Sequence, residues 1–529
     1  MLSMRLLNLT QKIFLCLIII SSWFRAGLDL AWFDQLWLFF FILLFFRGML
    51  IAKDASLRNL AFPLGFFLFC GILVILSLTN STFTRPTTQQ FADLDIESYL
   101  LEEKNIQKVI TVSDTLKKTL PYFESDPKRA LALYLHSKNE IEDSYQLGDK
   151  NLDLLDDILS SIWSVPNPYL PTQVIKHEGS LQDYSVFISQ LLIGAIAFLL
   201  FKTRSSIRNF IAGLIISSVI LAIAGMIQKI QYFPAEDLKE IWGIWDTPEP
   251  RYFYASFTYK NHWSAFVLLV ISATIGLLFH ASNFKNRLGY FNSKSIFLLG
   301  GLISLTITIP HSGSRSGVLI LLVLSTLAVY SLGFKARIMN FKKNTFKISV
   351  AFIVVLLAGF FLSKSTTKEM INTTNSQITS DETPLRILLW TDLVKQISGK
   401  TFWGYGYDSY GAINPLFQSQ EIRIIRNKGL ANAHQRYVPL VGHGHSDLLE
   451  FVSEFGWVGF TLILFPIFLI LLRNYIFCPS ILIKCISAGC LCFILYCCID
   501  FPTRTPACLI LFSVLVGLSL KYTRLSFSK

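Results

Sequence analysis

Apolar runs of membrane length recur along this chain, separated by polar stretches of two very different sizes. A helix needs about 20 largely apolar residues to cross a bilayer core. Twelve segments approach that length, centred on 13–24, 35–51, 60–79, 186–201, 209–229, 262–281, 296–311, 316–333, 348–363, 449–472, 481–499 and 506–521. The pattern predicts an all-α polytopic membrane protein with twelve transmembrane helices. Most connections are short; two are long. The chain accordingly divides into helices 1–3 (1–79), a polar insertion (80–185), helices 4–9 (186–363), a large loop before the third-last helix (364–448), and helices 10–12 with a tail (449–529).

Lys and Arg in short loops set orientation, because they are retained on the cytoplasmic side. If the N-terminus is inside, the inner segments hold Arg5, Lys12, Arg47, Lys53, Arg58, Lys202, Arg204, Arg208, Lys285, Arg287, Lys294, Lys335, Arg337, Lys342, Lys343, Lys347, Arg473, Lys484, Lys521, Arg524 and Lys529. The short outer turns between helices 1 and 2, 7 and 8, and 11 and 12 hold Arg25, Arg315 and Arg504, one each. Both termini are therefore expected in the cytoplasm and both long polar segments outside. Arg5 and Lys12 before Ile13–Phe24 resemble a signal peptide, but no small-x-small site follows, so this run reads as an uncleaved first span.

The two outer segments differ in charge. The 80–185 insertion is acid-rich and helical in pattern, with Asp126-Pro127 placed to start a helix and Ala130, Leu131, Leu133, Tyr134 and Leu135 forming an apolar face. Its Asp93-Leu-Asp95 has the DxD spacing of sugar-nucleotide transferases, which a segment this acidic produces by composition alone. It reads as an extracytoplasmic cap or a docking surface for a protein partner. The 364–448 loop instead carries Lys364, Lys368, Arg386, Lys395, Lys400, Arg423, Arg426, Lys428 and Arg436 where positive charge is otherwise scarce, which points to an anionic ligand. Within it, Thr383-Pro384 precedes an amphipathic stretch, Leu385–Ile397, containing Arg386 and Trp390. A turn, Gly404-Tyr-Gly406-Tyr-Asp408, follows.

Composition supports the membrane reading. Charged residues make up 16% of the chain, against roughly 25% in a soluble domain, while hydrophobic residues reach 52% and aromatics 14%. The net charge of +12 is spent on orientation and the outer loop, so no basic face remains for nucleic acid. The nine cysteines all lie in or beside apolar segments and form no CxxC pair, so neither a disulfide framework nor a zinc site is indicated. No P-loop, dinucleotide fingerprint, HExxH or GxSxG occurs.

The chemistry concentrates at His443–Gly459, where two histidines precede an apolar helix that opens with Glu450 and Glu454. Ionisable groups at such a place are functional candidates, since an unpaired charge in the membrane costs about 2.5–3.5 kcal/mol. Ser446 and Asp447 are N-cap candidates. His445 then lies at the positive end of the helix dipole, where a phosphate would also settle. Gly456 and Gly459 would let another helix approach closely.

His445-Ser446, nine residues, then Gly456-Trp-Val-Gly459 resembles the His-[Asn/Ser/Gln]-x9-Gly-x-x-Gly signature of the bacterial O-antigen ligase and O-antigen polymerase family. Three further stretches are similar to that family: Phe257-Thr-Tyr-Lys-Asn261-His-Trp-Ser-Ala265, with Tyr259 where the first Asn of Phe-x-Asn-x-Asn is usual; Ser314-Arg315-Ser-Gly317; and Arg386-x-x-x-Trp390 followed by Gly404-Tyr-Gly406. The resemblance covers roughly 186–521 and leaves the insertion unexplained. It implies a membrane-embedded transferase of the bacterial inner membrane. Such an enzyme moves a glycan from undecaprenyl pyrophosphate to an acceptor hydroxyl, on lipid A core or a growing polysaccharide, at the outer face. The residues suit that reaction. Attack by a hydroxyl needs a base, with His445 as candidate and Glu454 in support. A departing pyrophosphate needs arginines, with Arg315 and Arg386 as candidates. Asn261, His262 and Arg436 are candidate site-lining residues; no metal or other cofactor is expected.

Two other classes compete. His443-Gly-His445-Ser-Asp447 resembles the HxHxD of metallo-hydrolases, but Leu448 stands where the third histidine belongs. A transporter of lipid-linked anionic glycans would suit twelve spans and outer arginines, but transporters place charge near the midplane on broken helices, often in inverted repeats.

Overall fold

The computed structural model describes residues 2–28, 30–52, 57–83, 167, 169–174, 180–231, 240–242, 244–246, 252–282, 293–339, 385–414, 417, 419, 421–422 and 442–527. Helices dominate: α1 (Leu2–Trp23), α2 (Ala31–Ala52), α3 (Leu57–Thr79), α4 (Ser180–Leu200), α5 (Arg204–Gln231), α6 (Lys260–Ser282), α7 (Ser293–His311), α8 (Arg315–Met339), α9 (Leu385–Gly399), α10 (Tyr410–Ile413), α11 (Asp447–Phe477), α12 (Ile481–Cys497) and α13 (Pro506–Phe527). Among the described residues, eight helices are long and apolar enough to cross a membrane, and Pro63–Thr79, Arg315–Ser331 and Ile481–Cys497 are shorter apolar helices. All the predicted spans but 348–363 coincide with one of these. That one lies outside the described residues, as do the helical pattern at 126–135, Asp93, Asp95, the Arg423–Lys428 cluster and Arg436.

The apolar pattern did not predict two small strand pairs. β1 (Ser81–Phe83) lies parallel to β2 (Gln173–Val174), and β3 (Glu240–Ile241) pairs antiparallel with β4 (Trp245–Asp246). Strands this short have no alternation long enough to read.

The chain forms two units: Met1–Leu68 with Ser185–Asp381 and Phe465–Lys529, and Phe69–Tyr184 with Glu382–Leu464. In the first, α6 is interior, with 89% of its membrane-length window buried, and it packs on α5, α7, α8, α12 and α13. Water is not there to drive such packing, so close approach and interhelical hydrogen bonds carry it. Gly194 of α4 lies against the Ser513 carbonyl of α13, and Gly517 lies against Gly194 in return; a Cβ at either would collide with backbone. Indole N–H groups tie further pairs: Trp23 to Ser217 at 2.9 Å, Trp37 to Ser189 at 2.8 Å and Trp263 to Thr308 at 3.2 Å. By contrast α2, only 22% buried across its window, presents Phe39, Phe46 and Leu50 outward, as a lipid-facing helix does.

In the second unit, α9 packs Leu389, Leu393 and Ile397 against Tyr410, Ile422 and Val452. These α9 positions recur every four residues, which is the amphipathic stripe read from Leu385–Ile397. Asp392 is also buried on α9 and accepts from the Ser419 N–H (2.7 Å) and hydroxyl (2.9 Å), pinning the chain that follows α10.

Replacing Gly194 with Val should push α4 away from α13. Overpacking typically costs about 1–3 kcal/mol, so the purified variant should melt at a clearly lower temperature in a fluorescence thermal scan than a control such as Gly71→Val, where nothing lies within 4 Å of the added atom.

Candidate active site

The helix that follows the two histidines is broken. Inside α11, Gly456 has φ 65° and ψ 174°, a conformation essentially restricted to glycine. In an unbroken helix the Trp457 N–H would bond to Ser453 O, and the Val458 N–H to Glu454 O. Both bonds are open, and the turn after α9 supplies all four missing partners. Tyr405 N–H donates to Ser453 O (2.9 Å) and Gly406 N–H to Glu454 O (2.8 Å), while Trp457 N–H donates to Thr401 O (2.9 Å) and Val458 N–H to Phe402 O (3.1 Å). Four bonds replace two. Each backbone group left unpaired in hydrocarbon would cost several kcal/mol, so this turn is a condition for the break.

The fit is tight. A Cβ on Gly456 would collide with the Phe402 carbonyl, and one on Gly404 with the Ser453 and Glu454 backbone. Gly459 lies over the Trp403 ring. The expected helix-on-helix approach at Gly456 and Gly459 is therefore an approach by a loop, because the opened backbone needs polar partners that another helix lacks.

That turn is braced in its own unit. The Gln173 carboxamide bonds both ways with the Tyr407 backbone, at 3.1 and 3.2 Å, and Lys400 Nζ donates to Thr172 Oγ1 at 2.7 Å. Asn80 binds the carbonyls of Asn167, Leu170 and Pro171. The two flanks of the 80–185 insertion are thus joined to each other and to the turn. Burial pulls the Lys400 ammonium from 10.5 down to about 8 and pushes the Tyr405 hydroxyl up to about 12.

At the start of α11, Ser446 is the N-cap, its hydroxyl 3.4 Å from the Leu449 N–H. His445, one residue earlier, has φ +54°, unusual for a side-chain-bearing residue. Its carbonyl accepts from the Trp390 indole at 3.4 Å, which brings α9 and Arg386, one turn before Trp390, to the histidine's side of the unit. Glu450 is fully buried; its Oε1 accepts the Gly444 N–H at 2.6 Å and its Oε2 lies 3.3 Å from His443 Nδ1. Glu454 is buried too. Sequence reasoning gave Glu450 no task and discounted His443. The available signal was the placement of Glu450 four residues after a serine N-cap, within reach of the preceding loop.

The first unit holds a separate polar cluster. The Asn261 carboxamide accepts from Ser314 (2.7 Å) and donates to the Asp500 carboxylate and the Tyr259 hydroxyl (3.0 Å). Tyr496 bonds to Ser314 (3.1 Å) and Ser316 (2.9 Å), and His262 Nδ1 meets Thr505 at 2.6 Å between the rings of Tyr259 and Phe501. Asn261 and His262 thereby join α6 to the ends of α8, α12 and α13. Arg315 opens α8 with its side chain exposed, beyond the Ser314 cap that accepts from the Gly317 N–H. Asp500 was missed, although an acid between two apolar runs is itself a signal. Among the described residues no group of His, Cys, Asp and Glu could hold a metal ion.

A polytopic membrane protein with a broken, histidine-headed helix clamped by a loop is the class this geometry defines. A family model described as O-antigen ligase matches residues 300–464 of the chain. The match contains Arg315, Arg386, His445, Glu454, Gly456 and Gly459 and excludes Asn261, His262 and Asp500. No curated protein matches the chain.

Two outcomes follow from the clamp. Gly456→Ala should abolish activity and lower the melting temperature, since the strain alone costs about 1–3 kcal/mol before the collision with Phe402; thermal scans and turnover measure both. For Lys400, the folded state loses its proton near 8 while the unfolded chain keeps it to 10.5. The burden of a buried ammonium is therefore fully present below pH 8 and is relieved as pH rises from there toward 10.5. Acylation of Lys400 by a small anhydride, whose carboxylate leaves as the amide forms, followed by mass spectrometry, should show a midpoint near pH 8 in the native protein.

Proposed function

We propose that this protein transfers a glycan from undecaprenyl pyrophosphate to an acceptor hydroxyl at the outer face of the bacterial inner membrane, with both termini cytoplasmic. The observation that carries the reading is the start of α11, where the family match, the broken helix and His445 coincide. The acceptor O–H loses its proton as its oxygen bonds to the anomeric carbon, the bond from that carbon to the pyrophosphate breaks, and the pyrophosphate leaves with the electron pair. His445 takes the proton, since imidazole is the side chain suited to that exchange near neutral pH. Arg386, one turn from the indole that holds His445, meets the charge that builds on the pyrophosphate. Arg315 has the same task on independent grounds: an exposed guanidinium beside the N–H groups of a helix start. Glu454, buried at the break, supports the base, and the chemistry of these residues calls for no metal.

Ligase and polymerase share this chemistry and differ in the acceptor. Lipid A core as acceptor makes the protein a ligase, and a growing polysaccharide makes it a polymerase. The family description favours the first.

His445→Ala should reduce transfer by about 10²-fold or more, with membrane insertion unchanged, and Arg386→Ala and Arg315→Ala should lower it likewise. A purified variant that turned over lipid-pyrophosphate-linked glycan at the native rate would remove its residue from the reaction. Deleting the gene and resolving surface glycans by gel separates the acceptors: loss of all long chains from lipid A core marks a ligase, and single repeat units still attached mark a polymerase.

A further inference from the structure

An imidazole that accepts a proton from a bound hydroxyl must point in one direction, and His445 is held on a backbone that alone would not favour it. Its φ of +54° places it in the left-handed region, where a residue with a side chain persists only if its surroundings impose the conformation. Three contacts impose it here. Trp390 holds the His445 carbonyl, Ser446 caps the helix, and Glu450 holds the chain on the other side.

Of these, Glu450 does the most. The usual capping box has a glutamate at the third helical position reaching back to the N-cap N–H. Here the glutamate is at the fourth position, and it reaches past the N-cap to the Gly444 N–H, two residues further out, while its second oxygen meets the His443 ring. Its own N–H bonds back to Ser446 O at 2.9 Å, so the ring from Gly444 to Glu450 is closed at both ends. The turn has no slack beneath it, because Gly444 lies against Leu393 and Tyr410. The Glu450 side chain has no exposed surface, takes the Gly444 N–H at 2.6 Å on one oxygen and lies 3.3 Å from the His443 ring with the other, a pair of acceptor oxygens that a carboxamide, with one oxygen and one NH2, would not reproduce.

We propose that Glu450 is the positioning residue of this site: by gripping Gly444 and His443 it fixes the turn between them and the helix, and with it the direction of the His445 imidazole. The inference rests on His445 being the base. It gives His443 a part as well, that of second anchor for the carboxylate rather than of a group acting on substrate.

The test uses the full-length purified protein and, as donor, the lipid-pyrophosphate-linked glycan extracted from membranes of a deletion strain. Glu450→Gln keeps the shape of the side chain and one acceptor but loses the charge. Misplacing a reacting group by about 1 Å costs on the order of 10²-fold, so kcat should fall by about that factor while KM for the donor stays within about twofold of native, the donor's own contacts being untouched. His443→Ala removes one anchor and leaves the Gly444 bond, so its kcat should fall less, again at constant KM. A native kcat in Glu450→Gln overturns the proposal, and so does a parallel loss of kcat, donor affinity and melting temperature, which would mark Glu450 as a general stability residue. If Glu450→Gln fails to fold, His443→Ala decides alone, and a native kcat there is fatal. His445→Ala is run alongside. Native turnover in that variant sinks the reading of the base itself, a different outcome from native turnover in Glu450→Gln.

Discussion

Backbone hydrogen bonding in an apolar medium is the constraint on which the candidate site depends. A membrane helix can open only if both halves of each broken bond find new partners. At Gly456 the freed carbonyls of Ser453 and Glu454 and the freed N–H groups of Trp457 and Val458 are all met by residues 401–406. The loop after α9 therefore cannot vary freely. It must present donors and acceptors in register with the break, and its Gly404 must stay bare so that the backbones can close.

This constraint ties together parts of the chain far apart in sequence. The insertion's flanks brace the turn through Gln173 and Thr172, the turn satisfies the break, and α9 holds His445 through Trp390. All of these lie in one unit. The other unit is held by a different means, bare glycine contacts and indole-to-hydroxyl bonds between helices, with a buried polar cluster around Asn261 and Asp500. The 300–464 match takes in the break in α11 and the Ser314 and Ser316 side of that cluster, while Asn261 and Asp500 fall outside it.

The region before α11 also shows how strain and charge are arranged around a histidine. His445 takes an uncommon backbone conformation, and buried Glu450 reaches back past the N-cap to hold the preceding residues. A conformation of this kind persists because its surroundings over-determine it. Here the surroundings are a carboxylate, an indole and a serine cap supplied by two helices.

Much was legible beforehand. Among the described residues the places of the apolar helices follow from the apolar runs, since a bilayer demands them whatever the tertiary fold, and the Leu385–Ile397 stripe became α9 because its period is local. His445 with the two glycines was readable as a motif for the same reason: the residues lie within one short stretch. What only the tertiary structure decided is how those residues are used. Gly456 looked like a packing glycine because sequence cannot show that a helix opens, an event that depends on partners some fifty residues earlier. Glu450 looked like a neighbour of Glu454 until its side chain was seen to turn back to Gly444. Asn261 looked like a lining residue, and its carboxamide is spent between Ser314 and Asp500. Local periodicity is written in the chain; the pairing of polar groups across it is settled only when the chain is folded.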